Sequence, residues 1–84
     1  MIVVTGEIDL GTADQFRLDV LGADLAGRRA VFDLAGVTFM DSSGLAVLLE
    51  ASTRAAATVL HEPSPIVRRI IEATGVAASF TVRP

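Results

Sequence analysis

The chain contains no cysteine and no lysine, and it has a single histidine, His61. Without cysteine there is no disulfide, no thiolate zinc site and no redox pair, and a reducing compartment is compatible with the composition. One imidazole leaves too little for a histidine metal site or a hydrolytic triad, so neither metal nor cofactor is expected. Arginine is the only basic residue: seven Arg face ten Asp and Glu, for a formal net charge of -3. An acidic domain without a basic stripe is a poor match to nucleic acid. No apolar run approaches the roughly 20 residues that cross a bilayer, so no membrane insertion is expected. Met1-Ile2-Val3-Val4-Thr5 lacks the basic head of a signal peptide and reads as a strand, which makes the cytoplasm the expected location.

What the chain does have is apolar content, 51% of its 84 residues. That is too high for disorder and enough for one folded domain spanning residues 1–84. A domain of this size buries roughly 60% of its unfolded surface, so the core is modest.

Ile2-Val3-Val4-Thr5 is a short β-branched strand, followed by a polar loop, Gly6 to Gly11, with carboxylates at Glu7 and Asp9. Thr12-Ala13-Asp14-Gln15 has the form of a capping box, Thr12 at the helix start and Gln15 reaching back to it. In the helix that follows, Phe16 and Val20 share one line and Leu18, Leu21 and Leu25 another, giving a broad apolar face. Gly22 or Gly27 would end it with a left-handed cap. The second strand, Ala30 to Leu34, alternates little, as a strand covered on both faces does. Ala35 to Met40 carries the chain over to a small polar stretch, with Phe39 and Met40 as core or loop-packing residues. A second helix places Leu45, Leu48, Leu49 and Ser52 on one side, and Thr58 to His61 is a third strand. Ser64 is a good N-cap and Pro65 a good first helical residue for a third helix. Its inner face is Ile66, Val67, Ile70 and Ile71, with Arg68, Arg69 and Glu72 turned out. Gly75 caps its end, and Phe80-Thr81-Val82 is a last edge strand.

Strands alternating with helices imply right-handed crossovers and an α/β fold, a small, mainly parallel sheet packed with about three helices. In such sheets function gathers at the carboxyl ends of the strands. Two polar loops reach that edge, Gly6 to Gly11 and Thr38 to Gly44, so Asp9 and Ser43 are expected to be neighbours.

Asp41-Ser42-Ser43-Gly44 lies between strand and helix and is a helix-start signal, because short oxygen-bearing side chains accept the unpaired N–H groups of the first turn. The helix dipole there favours negative charge, so the same spot suits a bound anion or a phosphate on Ser42 or Ser43. For both serines capping competes with modification, and capping suits Ser42. Gly44 either lets the turn close or admits the backbone of a partner. Asp9 is a loop residue, a cap near Thr12, or part of the site. Asp41 is equally good turn chemistry. A hydrolase is excluded: the Gly-x-Ser-x-Gly elbow lacks its first glycine, His61 is the lone imidazole, and no lysine replaces it. A nucleotide would bind weakly at best, since there is no phosphate-binding Gly-x-x-x-x-Gly-Lys loop.

Gly6-Glu7-Ile8-Asp9, Thr12-Ala13, Phe32-Asp33-Leu34, Phe39-Met40-Asp41-Ser42-Ser43-Gly44-Leu45, Pro63-Ser64-Pro65 and Gly75 together resemble, in order and spacing, the STAS domain of bacterial anti-sigma factor antagonists. The resemblance implies a partner switch. The unphosphorylated antagonist binds an anti-sigma factor, often a serine kinase of the histidine-kinase-like ATPase fold, and so frees a sigma factor. That kinase phosphorylates the second serine of the motif, which matches Ser43. Phosphorylation breaks the complex and a phosphatase restores it. By the same matching, Asp9, Asp41, Ser42 and Gly44 surround the modified hydroxyl. STAS domains also serve as subunits of stress-sensing complexes and lipid transporters, which gives the alternative reading. Two departures stand out: the family's first strand is expected to be missing ahead of Ile2, and the turn at Arg54 to Thr58 is short and has no glycine.

Overall fold

The β-branched residues at the start of the chain form strand β1, Ile2–Ile8, because stiff side chains fit a pleated surface well. In the computed structural model, which describes Met1–Pro84, helix α1 (Ala13–Leu21), strand β2 (Arg29–Met40), helix α2 (Ser42–Arg54) and strand β3 (Ala57–His61) follow. Helix α3 (Pro65–Thr74), a 3-10 turn (Ala77–Ser79) and strand β4 (Thr81–Arg83) complete the chain. The sheet order is β1-β2-β3-β4 and every pair is parallel. Each strand adds on the same side of the last, so right-handed crossovers deliver all three helices to one face. Helix α2 accordingly packs between α1 and α3.

One covered face explains the burial along β2. Ala30, Phe32 and Leu34 are buried, while Val31 and Asp33 between them are only half-buried. The strand is therefore not covered on both faces, as its sparse alternation suggested. Phe32, Leu34, Leu48 and Leu60 lose all contact with solvent. Each such side chain contributes roughly 1.5–3 kcal/mol of transfer free energy.

Both leading strands are longer than expected. Gly6-Glu7-Ile8 continues β1, and Ala35 to Met40 continues β2, where loops were anticipated. The two extensions pair with each other, Gly6 with Val37 and Ile8 with Met40, after register shifts between Val3 and Thr5 and between Gly6 and Glu7. Each shift places an extra residue on β2. A bulge resets which residues point inward, so burial on β2 steps from Leu34 to Val37 to Met40. Phe39 falls between these positions and stays 43% exposed, not in the core.

The helix starts differ from their sequence signals. Thr12 occupies the cap position of α1 but its side chain makes no cap bond, and Gln15 donates to Asp19 at 2.9 Å and does not reach back. The capping box does not form because Asp9 engages the loop first, as described below. Helix α1 ends at Leu21, and Gly22 is right-handed, so it is not a left-handed cap. Phe16 and Val20 are buried, whereas Leu18 is 65% exposed, which narrows the expected apolar face. Pro65 opens α3, yet Ser64 makes no side-chain cap bond; its N–H donates to Leu34 O and its hydroxyl is buried without a partner. Gly75 does end α3 in the left-handed region, at φ 71. The short turn after α2 needs no glycine, since Ala55 is ordinary extended backbone; it bridges Ala26, and the Ala56 N–H donates to Arg28 O at 2.7 Å.

Candidate functional site

Strands β1 and β2 end together, Ile8 opposite Met40, so the segments that follow emerge at one carboxyl edge. The Asp41 N–H donates to Ile8 O at 3.2 Å, which closes the pair and starts the turn into α2. Asp41 is extended (φ -112, ψ -170), and its carboxylate accepts from the Ser43 N–H at 2.8 Å. That is an N-cap, and it takes the capping role expected of Ser42. Ser42 is the first helical residue and is exposed, and Ser43 is half-buried. Neither serine hydroxyl hydrogen-bonds within the chain; only the Ser43 N–H is engaged.

Gly44 is buried, and its lack of a side chain is required by close approach. A Cβ there would lie 2.6 Å from Ile8 Cγ2, 3.0 Å from Met40 Cγ and 3.1 Å from Ile8 O. The glycine therefore seats the first turn of α2 against the ends of both strands, and this fixes where Ser43 sits. Of the two readings open for Gly44, close packing within the chain is the one the geometry carries.

Asp9 sits at the same edge, one residue beyond Ile8, but its carboxylate is not aimed at Ser43. Its Oδ1 accepts from the Gly11 N–H at 2.9 Å and the Thr12 N–H at 3.1 Å. The Thr12 hydroxyl in turn accepts from the Asp9 N–H at 2.9 Å and donates to Glu7 O at 3.0 Å. Asp9 is thus a loop former that shares the edge with Ser43 without bonding to it.

An open groove of about 460 Å³ between β1 and α1 contains none of Asp41 to Gly44. No cluster of His, Cys, Asp and Glu is arranged to hold a metal ion, and no helix is long and apolar enough to cross a membrane. The helix start presents an exposed Ser42 and a half-buried Ser43.

The STAS domain profile matches residues 1–84. This chain belongs to the STAS domain family. The STAS chain is 32% identical over 82 residues to a protein of Lysinibacillus sphaericus named anti-sigma F factor antagonist, covering 90% of this chain and 70% of that one. Its fold superimposes on the structure of the anti-sigma factor antagonist SpoIIAA in its unphosphorylated form with a TM-score of 0.74. That match is 28% identical and covers 95% of this chain and 75% of the other.

One ionic feature between α1 and the C-terminal half of α2 has no local sequence signal. Arg17 on α1 donates to Glu50 on α2 through Nε at 3.0 Å and Nη2 at 2.7 Å, and Arg54 adds a contact at 3.3 Å. The hydrogen bond from Arg17 holds the Glu50 carboxyl below its usual range. The partners are 33 positions apart, so only the folded packing of α1 on α2 reveals them.

Proposed function

We propose that this STAS domain is an anti-sigma factor antagonist that works by partner switching, with Ser43 as the switch. In this reading the unphosphorylated chain covers an anti-sigma factor in the cytoplasm and so frees a sigma factor. The partner is a serine kinase of the histidine-kinase-like ATPase fold. It transfers the γ-phosphoryl of ATP to Ser43 Oγ and is released, and a phosphatase resets the cycle. The antagonist itself catalyses nothing.

The observation that carries the reading is the Ser43 hydroxyl, free of any internal hydrogen bond on a helix start fixed by Asp41 and Gly44. A phosphoryl acceptor needs an unengaged oxygen held where an in-line approach is possible. The likeness to a named anti-sigma F factor antagonist and to unphosphorylated SpoIIAA supports the same assignment.

The test uses purified chain, ATP and, one at a time, the anti-sigma ATPases of the source genome. Peptide mass spectrometry is expected to place one phosphate on Ser43 with one of these kinases, and none on Ser43→Ala. Phosphate on Ser42 alone, or on neither serine with any of them, rejects the switch.

A further inference from the structure

Leu10 is 80% exposed, more than any other large hydrophobic residue of the chain. Single exposed leucines are common and carry no meaning by themselves. This one differs in how its backbone is held. On one side the Asp9 N–H donates to the Thr12 hydroxyl, which donates in turn to Glu7 O. On the other side Gly11 and Thr12 N–H groups donate to the Asp9 carboxylate. Asp9 O also accepts from the Thr12 and Ala13 N–H groups, at 3.1 and 2.8 Å. The loop is fixed at both of its ends, and the side chain between them faces solvent.

Its place in the fold is equally defined. Ile8 O accepts from the Asp41 N–H, and Ile8 lies against Gly44. Leu10 is two residues further along, so its Cα lies within about 8 Å of the Ile8 Cα. An exposed apolar side chain on an ordered loop therefore stands on the same edge as the Ser43 hydroxyl. A residue whose loop is already ordered gives up little entropy when a partner covers it, which is the condition for an interface anchor.

We infer that Leu10 is an apolar anchor for the anti-sigma factor, seated in a hydrophobic pocket beside the partner surface that faces Ser43, and that Asp9 is a positioning residue that holds Leu10 in place. This rests on the antagonist reading above. It assigns Asp9 an action through its acceptor oxygen and not through its charge. Asp9→Asn keeps an Oδ1 acceptor for Gly11 and Thr12 and removes the charge; Asp9→Ala removes both.

The test is titration calorimetry, without ATP, against the kinase that phosphorylates Ser43 in the experiment above. Leu10→Ser is expected to weaken binding about tenfold or more, a loss that exposing one leucine side chain accounts for. Its melting temperature should change little, because the residue is mostly exposed. Asp9→Asn should bind like the parent, and Asp9→Ala should lose about as much as Leu10→Ser. The double variant Asp9→Ala, Leu10→Ser should bind no more weakly than Leu10→Ser alone, as coupled positions do. Parental affinity for Leu10→Ser overturns the anchor. An Asp9→Asn loss equal to that of Asp9→Ala, or full additivity in the double variant, overturns the positioning role. If the unmodified chain is bound by none of the kinases, the antagonist reading itself fails, a result separable from these because it appears before any substitution.

Discussion

Gly44 determines where Ser43 can stand. Its would-be Cβ meets a side-chain carbon of Ile8, one of Met40 and the backbone oxygen of Ile8. The Met40 side chain is flexible, but the Ile8 carbonyl is tied to Asp41. Gly44→Ala must therefore push α2 off the strand ends, at about 1–3 kcal/mol, the usual cost of overpacking. Urea denaturation reads this directly; an unchanged midpoint would show that the contact relaxes freely. Asp41 acts on the same turn from the other side. Asp41→Ala should cost about 1 kcal/mol for the lost cap, and Asp41→Asn much less, since Asn retains an acceptor for the Ser43 N–H. The cap was legible as a helix-start signal but assigned to the wrong residue. The reason is the backbone: only Asp41, extended and outside the helix, can turn its oxygen onto Ser43 N–H, while Ser42 already has helical geometry.

At the scale of elements, the number, kind and order of strands and helices could be read from hydropathy and punctuation, and their lengths could not. Ala35 to Met40 looked like a loop because the residues between Leu34 and Met40 break strict alternation. The break is two bulges, and bulges depend on what the neighbouring strand offers, here Thr5 lying against Gly36. The capping-box pattern at Thr12 to Gln15 failed for a similar reason, since Asp9 three residues upstream claims the Thr12 N–H. The clamp between α1 and α2 was invisible because no local spacing encodes it. Its pH behaviour follows from the depressed Glu50 carboxyl. A carboxyl with a lowered pKa stabilises the fold above its unfolded value and loses that contribution as pH falls through the folded one. The parent should therefore lose stability on acidification below about pH 4.5, the ordinary value for this group, by more than Glu50→Gln does. Because Arg17 and Glu50 are substantially exposed, with side chains 51% and 32% accessible, the difference should be small and shrink in high salt. Thermal melts of both proteins between pH 3 and pH 7 at two ionic strengths check it; parallel profiles would mean the clamp contributes nothing.

At the scale of the molecule, the proposed switch would have to change binding without unfolding the chain, and the site geometry divides the two effects. A phosphate on Ser43 adds roughly -1.5 to -2 charges. Within the chain it meets opposing influences. The positive end of the α2 dipole stabilises an anion in the first turn by about 0.3–1 kcal/mol. The Asp41 carboxylate, 2.8 Å from the Ser43 N–H, repels it. These are opposite in sign, so Ser43→Asp should melt close to the parent. Against the proposed partner the balance is different. A surface shaped for a neutral hydroxyl must desolvate the anion, and Asp41 is already there with the same sign. A coupling of about 1–3 kcal/mol weakens binding roughly 5–150-fold, enough to return an anti-sigma factor to its sigma factor. Ser43→Ala removes the acceptor oxygen and leaves the turn intact, so it should bind like the parent and stay bound when ATP is added. Calorimetry paired with melting curves separates the outcomes. Tight binding by Ser43→Asp would show that charge at this position is not what the partner reads. Weak binding accompanied by a large fall in melting temperature would show that the switch acts by unfolding α2 and not by spoiling the surface it presents.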